Sequence, residues 1–343
     1  MPMDLITADQ IAPIPVVPKK EAPNPWIVVA AIPEAASRSR KKKLPGRAKE
    51  KNEKLRCAAR RMKVLHAAST AILGVAVAAF VGCSVFLAHY AADSVVQRKK
   101  NDAIAAEYQA ATRQDADEPM RLGTGMLQKF DALYQQNNDL VGWLSMPAIG
   151  VERPVMKGSD NDYYLTHDVQ RALSRYGALF ADSGNILTQS QSSANLSVYG
   201  HNTKNGSMFG SLGKYRDLAF YKQNPTFSFD TLYEEKKWVI FAVIVTNAYP
   251  AQDDGNFFEW REVNLSDPNR MDTFVTELRA RSLIDSPVEV GAGDKLLNLT
   301  TCAYDFKDAR LVVFARELRE GEEADVSDAV FNESAKRPAA WSG

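Results

Sequence analysis

Beyond Asp139 the apolar residues fall in short runs separated by Pro, Gly, Asp and Asn, the pattern of strands joined by turns. Eight runs stand out: "LVGWLSMP" (140–147), "GVERPVMKG" (150–158), "GALFAD" (177–182), "LSVYGHN" (196–202), "TFSFDTL" (226–232), "KWVIFAVIVTNA" (237–248), "LLNLTT" (296–301) and "RLVVFAR" (310–316). So many short strands predict an all-β fold, a closed barrel or a sandwich. One helix interrupts them. "SDPNRMDTFVTELRARS" (266–282) offers Ser266 or Asp267 as N-cap and Pro268 at the first helical position. Its Met271, Phe274, Val275 and Leu278 form one buried stripe.

Ahead of the strands the period changes. "MLQKFDALYQQN" (126–137) sets Met126, Phe130, Leu133 and Tyr134 at i, i+4, i+7 and i+8, an amphipathic helix docking on the domain. "GTG" (123–125) breaks the chain before it. Ala91 to about Asp117, rich in Ala, Gln, Glu and Lys, reads as a helix continuing outward or a helical stalk. Before that, "VLHAASTAILGVAVAAFVGCSVFLA" (64–88) carries no formal charge apart from His66 at its edge. About 20 helical residues cross a hydrocarbon core. The run begins too far from residue 1 for a cleaved signal peptide, so an uncleaved anchor is expected.

Net charge is zero over 343 residues, but the charge is segregated. Thirteen Lys or Arg lie between Arg38 and Lys63 against Glu50 and Glu53 alone, while the last twenty or so residues tilt acidic. Basic residues ahead of a span stay in the cytoplasm, which puts everything after about Tyr90 outside. Residues 1–37 hold seven prolines and read as a disordered cytoplasmic tail. The balanced charge argues against nucleic-acid binding, and the basic run is free to touch membrane lipid.

Three cysteines, Cys57, Cys83 and Cys302, make no disulfide framework. Cys83 reads as a packing residue of the span. The chain has no zinc spacing, P-loop, GxGxxG or Gly-x-Ser-x-Gly elbow, so no metal or cofactor is expected. Nucleophilic thiol chemistry is left, and a thiolate needs a neighbouring His or cation. His201 lies where an apolar strand enters a Gly-rich polar loop; His167 reads as a satisfied structural residue and His89 as interfacial. Arg310 follows Cys302 by eight residues. Two readings stay open for it: a guanidinium brought back beside the thiol by a hairpin, or a strand-end Arg paired with Asp305 or Asp308.

"LTTCAYDFKDAR" resembles the T-L-x-T-C…R signature of sortases, cysteine transpeptidases of Gram-positive bacteria, and "SVYGHN" resembles their histidine strand. The order His, Cys, Arg behind an N-terminal anchor is also theirs, and the likeness covers roughly 126–318. It is nearest to class B, with helices before the barrel and a long helix between the sixth and seventh strands. No Asp-Pro-aromatic lid motif occurs, since "DEP" precedes Met120. Asn298 departs from the aliphatic residue usual there, and is expected to face away from the site.

The resemblance implies an eight-stranded sortase-type barrel with a helical lead-in over 126–318, and together with composition and charge it divides the chain into five expected regions: a cytoplasmic tail (1–63), a signal-anchor (64–90), a helical stalk (91–125), a catalytic domain (126–318) and an acidic disordered tail (319–343). It implies that Cys302 attacks the carbonyl of a threonine in the C-terminal sorting signal, Asn-Pro-x-Thr-like or related, of a secreted protein. A thioacyl intermediate is then resolved by an amine of the peptidoglycan cross-bridge or its lipid-linked precursor. His201 would move protons, Arg310 would hold substrate and oxyanion, and Tyr199 and Thr300 would line the groove. A pilin-polymerising sortase with a Lys acceptor and a non-catalytic membrane-anchored binding module are the alternatives. Substrate choice is expected in "NAYPAQDDGNFFEW" (247–260).

Overall fold

A computed structural model describes residues 46–114 and 119–341. The Pro-rich tail expected over 1–37 lies outside the described residues. Two units divide the chain, Met1–Cys83 and Ser84–Gly343. The described part of the first is helical, the start of α1 (Gly46–Gln114), and its apolar side chains are exposed. The α1 helix is long and apolar enough to cross a membrane, and its most apolar window has no residue buried in the protein.

Among its described residues the second unit is built on ten strands, β1 (Leu140–Met146), β2 (Val151–Met156), β3 (Leu179–Ala181), β4 (Asn195–Tyr199), β5 (Thr226–Thr231), β6 (Lys237–Asn247), β7 (Ile284–Asp285), β8 (Leu296–Cys302), β9 (Ala309–Glu317) and β10 (Val330–Phe331). Eight close a barrel in the order β1-β2-β3-β4-β8-β9-β6-β5, with β5 pairing back onto β1. Each matches one of the expected runs. Pairing is antiparallel except for β2 with β3 and β4 with β8. Leu196, Val198, Leu297 and Leu299 join the barrel core, so the alternate residues of β4 and β8 face outward.

Short helices fill the connections: α2 (Asp131–Gln136), α3 (Tyr163–Thr166) and α4 (Leu218–Gln223). The long one, α5 (Pro268–Arg281), lies between the sixth and seventh barrel strands in chain order. Asp267 is its N-cap, accepting from Arg270 N at 3.0 Å, and Met271, Phe274, Val275 and Leu278 are buried as expected. Phe274 meets Phe314 of β9 at 6.0 Å between ring centroids.

Four expectations differ. The helix expected over 126–137 is confined to α2, because Leu127 N bonds Leu232 O and Gln128 N bonds Met120 O, both at 2.8 Å, taking that backbone out of the helix. Met126, Phe130 and Leu133 are nevertheless buried. The stretch read as a stalk is helical to Gln114, but Asn101, Ile104 and Tyr108 are buried against the barrel. Tyr108 stacks on Trp143 of β1 at 4.1 Å. The segment after 318, expected to be disordered, is laid on the barrel: β10 pairs with β7, and Val326 and Ala329 enter the core. Its few apolar residues are scattered among acids, too sparse to show a period. Finally, Asn298 does not face away. It shares the outward face of β8 with Thr300 and Cys302 and is fully buried.

Candidate active site

Register alone brings three candidate side chains together. In the β8–β9 hairpin, Cys302 stands directly opposite Arg310. In the parallel pair β4–β8, Tyr199 stands opposite Thr300, so two residues further on His201 draws level with Cys302. Neighbouring strands lie about 5 Å apart, so the three residues span roughly 10 Å across one end of the sheet.

Three bonds fasten the histidine loop to the cysteine strand. Gly200 N donates to Thr300 O (3.1 Å), Thr301 Oγ1 to Gly200 O (2.7 Å) and Asn202 Nδ2 to Cys302 O (2.7 Å). Gly200 is needed for this approach, because a Cβ there would lie 2.5 Å from Leu179 Cδ2 and 2.7 Å from the Phe209 ring. His201 Nε2 lies 2.8 Å from Leu165 O. A carbonyl only accepts, so Nε2 carries a hydrogen there and Nδ1 is left for proton exchange.

Cys302 is exposed, and two depressions meet at it. The first, about 360 Å³, has a floor of Phe180, Tyr199 and Thr300 and a wall of Tyr249, Trp260 and Arg261. His201, Cys302 and Arg310 sit on its rim. The second, about 350 Å³, runs along Asn202, Gly210, Arg216, Tyr304 and Asp305. A thiol at such a junction can meet one reactant from each side.

The acids near Arg310 are engaged elsewhere. Asp305 takes a bidentate pair from Arg216 (2.9 and 2.7 Å), and Asp308 Oδ2 accepts from Gln252 (2.8 Å). Arg310 Nη1 donates to the carbonyl of Ala309 at 3.1 Å, and among the described residues no carboxylate is within ion-pair distance of it. The ordinary strand-end pairing left open by the sequence is therefore not made. The charge of Arg310 stays free for a ligand.

Tyr199 and Thr300 both line the first cavity, but their hydroxyls are committed. Tyr199 Oη donates to Asp182 Oδ2 at 2.6 Å, and burial, helped by that carboxylate, pushes its phenol well above the usual range. Thr300 Oγ1 donates to Asn298 Oδ1 (3.1 Å). Under the floor runs a polar ladder: Asn298 Nδ2 donates to Ser197 Oγ (2.8 Å) and Asn195 Oδ1 (3.2 Å). Asn195 Nδ2 in turn holds the carbonyls of Trp260 (3.1 Å) and Glu262 (3.0 Å), tying the wall to the floor. His167 stays a structural residue, stacked on Tyr163 at 4.1 Å. Sequence reasoning missed Leu165, Asn202 and Arg261, and reached Trp260 only as the last residue of the 247–260 stretch expected to choose the substrate. Only Asn202 carried a local signal, standing next to His201.

A cysteine and an unpaired arginine on paired strands of a closed barrel, with a histidine just past the end of the neighbouring strand, define a cysteine-nucleophile architecture. The Sortase domain family model matches residues 144–318. Sortase B of Listeria monocytogenes is 32% identical over 183 residues, covering 53% of this chain and 70% of that protein. Sortase B of Staphylococcus aureus is 30% identical over 193 residues, covering 56% and 75%. A crystal structure of sortase B from Bacillus anthracis superposes with a TM-score of 0.56 at 30% identity, covering 66% of this chain and 98% of that one. The chain belongs to the sortase family, cysteine transpeptidases, and within it to class B.

Proposed function

We propose that this enzyme is a membrane-anchored transpeptidase that cleaves the sorting signal of a secreted protein after threonine and transfers the new carboxyl end to a cell-wall amine. The observation that carries the reading is the register of three neighbouring strands, which lines up Cys302, Arg310 and, just past the end of β4, His201 along one cavity. The thiolate of Cys302 attacks the threonine carbonyl. His201 protonates the departing amine through Nδ1, leaving a thioester on Cys302, and then takes the proton of the incoming amine. Arg310, free of carboxylates, stabilises the oxyanion and orients the peptide backbone. The aromatic floor and wall suit the sorting signal. The second depression, ending at the same sulfur, suits the acceptor amine, a peptidoglycan cross-bridge or its lipid-linked precursor.

The exposed apolar run of α1, preceded by thirteen basic residues, supports a single-pass anchor at 64–90 with residues 1–63 cytoplasmic and the catalytic domain, 126–318, outside. Tethering keeps enzyme, membrane-held substrate and lipid-linked acceptor at high effective concentration. The test is cleavage of labelled Asn-Pro-x-Thr-type peptides by the full chain in detergent, with mass spectrometry for a thioester. Wild type should trap the acyl group on Cys302, and Cys302→Ala should neither trap nor cleave. Full activity in Cys302→Ala would overturn the reading. Supplying a cross-bridge amine or a pilin lysine in the same assay identifies the acceptor.

A further inference from the structure

The Sortase family match stops at 318, yet the chain beyond it returns to the active-site end of the barrel. After β10, Asn332 N bonds Leu283 O (2.9 Å) and Lys336 N bonds Ala280 O (2.8 Å), leading the segment along the end of α5. It then touches both loops that border the groove. Ala339 N donates to Asp253 Oδ1 at 2.7 Å, and Asp253 is buried in the loop that supplies Tyr249 and Trp260 to the wall. Trp341 packs edge-on against Phe306 at 6.3 Å, inside the hairpin loop between Cys302 and Arg310. Arg337 lies over the Trp341 ring at 4.7 Å.

The two loops are also joined to each other. Ala248 N donates to Asp308 O (3.1 Å) and Gln252 Nε2 to Asp308 Oδ2 (2.8 Å). Asp308 stands there at φ +60°, in the left-handed region that Asp enters more readily than most non-glycine residues. The hairpin loop 303–308, the wall loop 248–254 and residues 337–341 thus form one packed unit beside the nucleophile.

We propose that residues 337–341 are a strap that positions the wall loop and the Cys302–Arg310 hairpin, so that groove and oxyanion site are assembled before substrate arrives. The strap touches neither the cavity nor the thiol and acts through Asp253 and Phe306. Its effect on turnover rests on the transpeptidase reading above; its effect on loop order does not. A displacement of about 1 Å transmitted from outside the site can cost a hundredfold in rate.

The experiment compares wild type, a chain ending at Lys336, Asp253→Ala and Trp341→Phe, each full length otherwise and in detergent. Hydrogen exchange is measured for 248–254 and 303–308, alongside melting temperature and kcat and KM for the sorting peptide. Shortening the chain and Asp253→Ala should speed exchange in both loops about tenfold and leave β4, β8 and β9 protected. They should lower kcat/KM by a similar factor through both kcat and KM. Trp341→Phe, which keeps a ring, should stay near wild type. Unchanged exchange in both loops, or a rise spread evenly over the barrel, would overturn the strap. A wild type that cleaves no peptide would sink the transpeptidase reading and leave the exchange result to decide the strap alone.

Discussion

Glu322→Gln is expected to unfold the enzyme at lower temperature and to remove part of its acid sensitivity. Arg316 of β9 is fully buried, and both its terminal nitrogens meet the Glu322 carboxylate, Nη1 at 2.6 Å. That pairing, helped by Arg319 N at 2.9 Å, holds the Glu322 carboxyl at about 2 against burial, which opposes it. Removing one partner of a buried pair costs about 3–5 kcal/mol. The glutamine still accepts one hydrogen bond, so about 3 kcal/mol is expected, roughly 6–12 °C in melting temperature for a unit of this size. The sign of the pH effect follows from the depressed pKa. The stabilisation is fully present above the unfolded value of about 4.5 and is lost as pH falls towards 2. The complete shift would correspond to roughly 3 kcal/mol, and solvent at the open edge of Glu322 reduces it to about 2. Melting curves of wild type and Glu322→Gln, read by circular dichroism from pH 7 to pH 3, should therefore converge on the acid side. Adding Arg316→Met to the variant should recover at least half of the loss, since no buried charge is then left alone. A variant melting within about 2 °C of wild type at pH 7, or a gap that does not narrow with acid, would refute the pairing as the cause.

Arg310→Ala should lower kcat about a hundredfold, and Arg310→Lys should recover only part of it, because the charge returns without the fork; steady-state cleavage of the sorting peptide reads both. Gly200→Ala should lower kcat at least tenfold while the barrel still folds, since the added Cβ meets Leu179 and the Phe209 ring and moves the neighbouring His201. Asn195→Ala should raise KM by freeing the Trp260 side of the groove, and should cost about 2 kcal/mol in denaturant melts through the buried amide of Asn298.

The barrel was legible because each strand carries its own apolar run between turn residues, and α5 because Asp267, Pro268 and the Met271–Leu278 stripe all agree. The placement of Arg310 opposite Cys302 was legible as one of two readings, since a short antiparallel hairpin returns the chain. Their closeness to His201 was not. It depends on a parallel pairing of β4 with β8 across about a hundred residues, which no local period encodes, and only the family resemblance implied it. The docking of the helix after the span and of the C-terminal segment was missed for one reason. Ile104 and Tyr108, or Val326 and Ala329, are single apolar contacts within polar stretches, and what they bury against is visible only once the barrel exists.

Asn298 carries the same lesson into the site. In an alternating strand, 298, 300 and 302 must share a face, so whatever occupies 298 lies under the groove that Cys302 borders. An aliphatic side chain would fill that space but would leave the Asn195 amide oxygen and the Ser197 hydroxyl buried without this donor. The asparagine satisfies both and accepts from Thr300 with its own oxygen. Asn195 is then fixed to hold the carbonyls of Trp260 and Glu262, so the groove wall is hydrogen-bonded to the strand that leads to His201. A polar residue at an apolar position thus does more than fit. It couples the loop expected to choose the peptide to the strands that carry the chemistry.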